Sequence, residues 1–248
     1  MTAMQSIGLD NLPLVEEGDD LALIIYGALC EKGIALEDTD IIAVSEKIVS
    51  KAEGRLVKLD EIEPSDKAIE LGEKSGKTPE DVELILRESK EILHVGEFIV
   101  VETHHGFVCA SAGIDHSNVP EGYAKLLPED PDASASKLRG SLEKKSGKHL
   151  GVLIVDSHGR PFRRGAIGVA IGASGIKTLW DRRGDEDIFG RALKVTRVAI
   201  GDMLASAASL LMGEAAERVP VVIIKGVDFS GDGAGKDLLR EKGEDVFR

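Results

Sequence analysis

The stretch LGVLIVDSHGRPFRRGAIGVAIGASGI, residues 150–176, joins an apolar run to a polar, arginine-rich segment. Residues 151–155 are apolar and rich in β-branched side chains, which predicts a buried strand that ends at Asp156. A carboxylate at a strand end, with the Ser157 hydroxyl beside it, offers hard oxygen ligands for Mg²⁺ or Mn²⁺. The same residues fit an Asx-type turn and a solvated loop equally well. Only a second acidic cluster elsewhere in the chain can favour the metal site.

Glycines recur through the second half of this stretch, at positions 165, 168, 172 and 175. Their spacing is helical, but each glycine inside a helix costs about 1 kcal/mol relative to alanine. The pattern therefore predicts a strand whose backbone packs closely against a neighbour, or a loop.

The composition is that of an ordinary globular protein: 248 residues, 42% hydrophobic, 30% charged. We expect neither a signal peptide nor a membrane helix, since no apolar run approaches the length of a membrane span. Cys30 and Cys109 have no metal-ligand spacing, which suits a reducing cytoplasm. The net charge of −13 argues against a nucleic-acid partner but permits a nucleotide whose phosphates are met by carboxylate-held metal ions.

Predicted helices and strands alternate irregularly along the chain, which indicates an α+β (mixed α/β) fold. The sequence leaves the strand order open, and we expect one domain over residues 1–248 that could contain two subdomains. The predicted helices cover residues 20–32, 65–74, 79–91, 134–145 and 200–216. The predicted strands cover residues 40–44, 98–102, 106–110, 151–155, 193–199 and 220–224.

Two segments approach the Walker A pattern without meeting it. Residues 72–78, GEKSGKT, are one residue short, follow a charged helical segment and precede a proline. Residues 230–237, SGDGAGKD, lack both the first glycine and the hydroxyl that binds Mg²⁺. A P-loop needs the strand, the backbone nest and the hydroxyl together, so we expect no Walker P-loop here.

Polar residues follow a second predicted strand, at Asp115 and Asn118. If the sheet brings Asp115 near Asp156, the two carboxylates could hold a divalent ion that bridges phosphates. Alternatively, each side chain satisfies loop amides. Glu214 closes an apolar helix and is a surface residue unless that helix end faces the site. Lys51 follows a strand and could contact a phosphate or solvent.

Five separate segments, in conserved order, resemble the coenzyme F420-0:L-glutamate ligases, also called γ-glutamyl ligases. They are LPLVEEGDDL (12–21), SEKIVSKAEGR (45–55), CASAGIDHSNV (109–119), DSHGRPFRRGAIGVAIGASG (156–175) and LLMGEAAE (210–217). The resemblance extends from residue 12 to residue 226. It implies an unusual two-part α+β fold in a homodimer.

The resemblance implies GTP-dependent amide formation. The γ-phosphate of GTP would activate the carboxylate of the deazaflavin precursor F420-0, and the amine of L-glutamate would attack the acyl phosphate. A further glutamate can join through a γ-linkage. Family members use Mg²⁺ or Mn²⁺, with two divalent ions expected here, and many also use K⁺. Some relatives carry a flavin-binding domain after this one; since this chain ends earlier, we expect no nitroreductase-like domain and no flavin.

Site residues follow from the resemblance by position. The implied metal ligands are Asp115, Asp156, Ser157 and Glu214; threonine is common in the family where Ser157 stands, and the serine keeps the hydroxyl. The implied GTP contacts are Leu12, Pro13, Leu14, Val15, Glu46, Lys47, Lys51, Asn118, Leu210, Leu211, Met212, Gly213, Glu214, Ala215, Ala216 and Glu217.

Three arginines supply cationic forks suited to a carboxylate or phosphate: Arg160, Arg163 and Arg164. Our hypothesis is that they bind the acceptor's carboxylate or phosphodiester. No side chain stands out as an activated nucleophile, as expected when one substrate attacks another. Two alternatives remain open: a ligase of the same chemistry for another carboxylate acceptor, and a non-catalytic nucleotide- or deazaflavin-binding protein.

Overall fold

The computed structural model describes residues 3–245 and has the predicted mixed α+β architecture. Its helices are α1 (Leu21–Glu31), α2 (Glu46–Ala52), α3 (Asp66–Ser75), α4 (Pro79–Arg87), α5 (Pro131–Ser146) and α6 (Ile200–Met212). Its strands are β1 (Gln5–Leu9), β2 (Ile41–Ser45), β3 (Leu56–Lys58), β4 (Ser89–Val95), β5 (Ile99–Thr103), β6 (Val108–Ala110), β7 (Tyr123–Lys125), β8 (Gly151–Arg160), β9 (Arg163–Ser174), β10 (Leu179–Asp181), β11 (Arg197–Ala199) and β12 (Val221–Lys225).

A central five-stranded sheet has the order β1-β12-β2-β8-β9. Strands β2 and β8 are parallel, and every other neighbouring pair is antiparallel. Val44 lies in register with Val221 on one side and Ile154 on the other. As a result, the carboxyl ends of β1, β2 and the paired part of β8 lie at the same sheet edge as the start of β12.

Side chains alternate between the two faces of this sheet, as the pleat requires. Ile42 and Val44 belong to one buried cluster, with residues of α1 and α5, whereas Ile41 and Ala43 belong to another, with residues of α6. Helices therefore cover both faces. This explains why β2 and β12 read as continuous apolar runs in the sequence.

Glycines let the helices approach β9 closely. A Cβ on Gly172 would lie 2.3 Å from the Pro131 carbonyl oxygen, and one on Gly168 would lie 2.6 Å from that of Ala205. The prediction of a strand with close backbone packing is confirmed.

The chain between β2 and α5 builds a smaller part of the molecule. Strands β4, β5 and β6 form a three-stranded sheet and β3 pairs with β7, with α3 and α4 packed beside them. The two near-Walker segments are not P-loops. Residues 72–78 run from the end of α3 to Thr78, which caps α4, and residues 230–237 form a loop and part of a 3-10 helix.

Strand β8 does not end at Asp156, so that prediction was wrong. Asp156 and Ser157 continue to pair with Val169 and Gly168 of β9 after β2 has ended. The strand therefore leaves the sheet as a two-stranded ribbon that turns at Phe162, where φ is +60°.

Other boundaries differ for local reasons. Helix α5 starts at Pro131, three residues early, because Asp130 caps it by accepting the Ala133 N–H. Helix α6 stops at Met212 because Gly213 adopts φ +71°. Strand β11 is only three residues long, and the elements that were not predicted include α2, β1, β3, β4, β7 and β10. Cys30 and Cys109 are free thiols. Among residues 3–245, none of the helices combines the length and apolar character needed to cross a bilayer.

Candidate active site at the sheet edge

A cavity of about 590 Å³ opens at the sheet edge where β2 and β8 run in parallel. Asp115 and Asp156, far apart in the chain, both line it. The other lining residues are Leu12, Pro13, Leu14, Val15, Ser45, Glu46, Lys47, Ile48, Lys51, Ser117, Asn118, Val155, Ser157, Ser209, Met212, Gly213, Glu214, Ala215, Ala216, Arg218, Val219 and Pro220. The volume lies within the range of small-ligand sites.

Asp156 points from the ribbon into this cavity and is held by His158. The His158 Nε2 lies 2.9 Å from Asp156 Oδ2, and both side chains are mostly buried. Burial raises the pKa of Asp156, but the hydrogen bond and charge of His158, the charge of Lys125 and the Ser157 N–H together leave the pKa below its ordinary value. Asp156 is therefore a carboxylate at neutral pH.

Asp115 comes from the smaller part of the molecule and is clamped from two sides. Its Oδ2 accepts hydrogen bonds from Lys47 Nζ at 2.6 Å and from the Ser117 hydroxyl at 2.7 Å. Burial raises its pKa, yet Lys47 and Ser117 together lower the pKa to about 2. A second carboxylate thus faces the cavity in ionised form.

Beneath these groups Glu46 and Lys125 form a buried ion pair. Lys125 Nζ donates to Glu46 Oε1, and the lysine side chain is fully buried. Burial raises the pKa of Glu46, and the charge of Asp156 adds to the rise. Burial lowers the pKa of Lys125, but Glu46 and Asp156 raise it by more, so the ammonium persists. Glu46 Oε2, also buried, has no hydrogen-bond partner among residues 3–245.

Glu214 faces the site and is not an isolated surface residue. Gly213 ends α6 and turns the chain so that Glu214 Oε1 accepts the Ser157 hydroxyl at 2.7 Å. The alternation along β8 explains this contact, because Ser157 points to the face covered by α6, opposite to Asp156.

Lys51 and Asn118 connect α2, the loop at residue 118 and the segment after α6 by hydrogen bonds. Lys51 Nζ donates to the Asn118 carbonyl at 2.7 Å, and Asn118 Nδ2 donates to the Ala215 carbonyl at 3.0 Å. Burial and then the charge of Lys47 lower the pKa of Lys51. Loops from three distant segments therefore meet around one volume.

Some expected residues lie outside the cavity wall. Leu210 is 86% exposed and Leu211 39%, and Glu217 lies behind the wall, where it accepts the Ala215 N–H. The three arginines of the ribbon, Arg160, Arg163 and Arg164, lie at or beside its tip. Their role in acceptor binding stays a prediction.

Several wall residues were not predicted: Ser45, Ile48, Ser117, Val155, Ser209, Arg218, Val219 and Pro220. Ser45 and Val155 had a signal in the sequence, since each lies at the end of an apolar run that predicts a buried strand, where α/β proteins gather their ligands. Arg218 had none, because nothing in its neighbourhood predicts that it adopts φ +58° and lies in the cavity wall.

The oxygen donors have the chemistry that Mg²⁺ and Mn²⁺ prefer, but they are engaged with other groups. Within residues 3–245, no three His, Cys, Asp or Glu side chains are grouped so as to hold a metal ion. Asp115 binds Lys47 and Asp156 binds His158. An ion that joins these carboxylates must therefore compete with Lys47 at Asp115 and with His158 at Asp156.

Comparison with known proteins shows the family of this chain. The chain is 54% identical over 246 residues to the coenzyme F420:L-glutamate ligase of Methanothermobacter thermautotrophicus, with 98% of each chain covered. It is 52% identical over 247 residues to that of Methanocaldococcus jannaschii, covering 99% of this chain and 97% of the relative. The Methanopyrus kandleri ligase is 48% identical over 257 residues, with both chains fully covered. Residues 10–226 match the family described as F420-0:Gamma-glutamyl ligase, and the chain belongs to this family.

Proposed function

We propose that this protein is a cytoplasmic GTP-dependent ligase that adds L-glutamate to coenzyme F420-0 through an acyl phosphate, with further γ-linked addition of glutamate. The observation that carries the proposal is that Asp115 and Asp156 line one cavity together with residues of the 12–15, 46–51 and 212–216 segments. Those are the segments expected to hold the nucleotide. The ligases named above carry coenzyme F420 and L-glutamate in their names, and the family description names F420-0.

The two ends of the nucleotide have different partners in this proposal. Leu12, Val15 and Met212 give the cavity an apolar side for the base. Lys47, Lys51 and Arg218 give it cationic groups for the phosphates. In a protein of net charge −13, a triphosphate needs this local concentration of cations.

Asp115, Asp156, Ser157 and Glu214 would hold two Mg²⁺ or Mn²⁺ ions. When bound, these ions neutralise charge as the phosphoryl group moves between two anionic partners. The protein's own part is to hold the γ-phosphate and the acceptor carboxylate in line and to keep water away from the acyl phosphate. No protein nucleophile is needed, since the glutamate amine attacks the acyl phosphate and inorganic phosphate leaves.

We also propose that the protein works as a homodimer. Large apolar side chains are exposed at the ribbon tip and on the arm that joins β10 to β11: Phe162 at 89%, Ile188 at 93%, Phe189 at 74% and Val195 at 84%. Groups of this kind mark protein interfaces. A second copy of the chain is the proposed partner, and light scattering of the F162S/F189S variant should give a monomer where the parent gives a dimer.

The direct test supplies GTP, Mn²⁺, K⁺, L-glutamate and F420-0 to the purified protein. The proposal expects GDP, phosphate and a product heavier by one glutamate in the mass spectrum. Omitting K⁺ tests its contribution separately. GTP turnover with a different carboxylate and none with F420-0 would point to another acceptor. Nucleotide binding with no turnover under any metal condition would point to a non-catalytic binding protein.

A further inference from the structure

Lys125 occupies an unusual place for a lysine, because its side chain is fully buried. Its Nζ donates to Glu46 and to the Gly113 carbonyl oxygen, the latter at 3.2 Å. Its backbone pairs with Asp115 through two hydrogen bonds, of 2.8 and 3.1 Å. One residue therefore connects α2 to the segment from Gly113 to Asp115, and Glu46 and Asp115, one from each side, line the cavity.

The same ammonium is a fully buried positive charge below the cavity. It contacts Glu46 directly, and the charges of Asp156 and Asp115 also act on it. Burying a cation costs more than a well-packed apolar side chain of similar size, so a stability role alone does not explain a lysine here. Its charge is useful where acidic groups converge and would otherwise repel one another.

We propose that Lys125 is a positioning residue that acts as a resident cation of the acidic cavity wall. It holds Glu46 and the Asp115 loop in place before a divalent ion arrives, and it weakens the attraction of that wall for the ion. The inference rests on the proposed function, since it concerns the divalent ion that the ligase would use.

Replacing the ammonium by an apolar group of similar length should have two effects of opposite sign. The ion-free protein should lose stability, because the buried carboxyl of Glu46 loses its direct partner and a positive charge near the acidic wall is removed. Mn²⁺ should bind more tightly, with a Kd about tenfold lower, because one positive charge near the ion is gone. If Lys125 served only to fill space in the core, K125M would lose the same stability with and without Mn²⁺.

The experiment compares the parent protein with K125M. Free Mn²⁺ is measured by electron paramagnetic resonance during titration with MnCl₂, and Tm is recorded in EDTA and in saturating Mn²⁺. K225M is the matched control: Lys225 Nζ binds buried Asp40 at 2.6 Å, at the opposite end of β2 from the cavity. In K225M the loss of Tm should be equal in both conditions and the Kd unchanged.

The result expected for K125M is a lower Tm in EDTA, a larger rise of Tm on adding Mn²⁺ than in the parent, and a lower Kd. An unchanged Kd, with equal loss of Tm in both conditions, overturns the inference while leaving the proposed function intact. A parent protein that binds no Mn²⁺ overturns both. If K125M does not fold, the pair E46Q and E46Q/K125M repeats the comparison with the buried carboxyl neutralised. The double variant should then bind Mn²⁺ more tightly than E46Q, and equal affinity overturns the inference.

Discussion

Ser45 and Val155 are register partners on the parallel strands β2 and β8. Each is followed by an acidic residue, Glu46 and Asp156, and both of these line the cavity. The parallel pairing thus brings two carboxyl groups, 110 positions apart in the sequence, to one edge of the sheet. The Asp115 loop approaches the same edge through Lys47, the next residue of α2.

Asp156 should be indispensable for turnover. We expect D156N to lower kcat at least about 100-fold, the scale of losing one preorganised electrostatic group. The variant should still fold but with a lower Tm, because the asparagine keeps a hydrogen bond to His158 and loses the charge that stabilises the folded protein. D60N is the control: Asp60 is exposed and contacts only the neighbouring Lys58 in the part of the chain described, so its kcat should be unchanged. Near-parental turnover of D156N would remove Asp156 from the mechanism.

The packing of β9 should tolerate no side chain at Gly172. We expect G172A to lower the free energy of unfolding by about 1–3 kcal/mol, because the added Cβ meets the Pro131 backbone. Urea denaturation measures this. Gly140 lies within α5 with nothing near its added Cβ, so G140A should instead stabilise by up to about 1 kcal/mol. Equal effects of the two variants would mean that the close approach is absent.

Asp115 should make stability depend on pH in the acid range. Its pKa is about 2 in the folded protein against an ordinary 3.8, so its contribution is present above pH 4 and is lost as the pH falls through about 2. Because the side chain is partly exposed, we expect D115N to cost only about 1 kcal/mol at pH 7 in EDTA. The difference from the parent, measured by denaturation at several pH values, should shrink between pH 4 and pH 2. A constant difference contradicts the assignment.

Arg218 should lower the stability of the protein and strengthen its binding of GTP. Its φ of +58° lies in the left-handed region, which costs a residue with a Cβ about 1 kcal/mol that glycine avoids. We therefore expect R218G to unfold at a higher urea concentration and to bind GTP about tenfold more weakly, since a cation of the cavity wall is lost. Arg191 is outside the cavity, so R191G should leave GTP affinity unchanged. If R218G binds GTP as tightly as the parent, Arg218 does not contact the phosphates.

The three arginines of the ribbon should affect the KM for the acceptor F420-0. A variant with alanine at Arg160, Arg163 and Arg164 should raise the KM for F420-0 and leave the KM for GTP unchanged, because the three side chains lie away from the nucleotide segments of the cavity. An unchanged KM for F420-0 would remove these arginines from acceptor binding.

Local patterns predicted much of this fold. The apolar runs of β2 and β12 and the capped helix α4 lie where periodicity and the capping residue Thr78 predicted them. The glycines of β9 were correctly expected to pack closely. The strand order was not predictable, because it depends on pairings such as β12 with both β1 and β2 that no local pattern encodes.

The site was predictable in its residues more than in its geometry. Asp115, Asp156 and Glu214 were all expected, and all line one cavity. The ion pairs of Asp115 with Lys47 and of Asp156 with His158 were not predictable. They depend on how α2 and the β8–β9 ribbon are placed at the sheet edge. Lys125 gave no signal at all, since a lysine that ends a short strand is ordinarily exposed.

The most direct measurement is a crystal structure of the protein soaked with GDP and Mn²⁺. The account predicts Mn²⁺ in the cavity at the sheet edge, with oxygens of both Asp115 and Asp156 and of the GDP phosphates as its ligands. GDP bound elsewhere, or Mn²⁺ that touches neither aspartate, would contradict it.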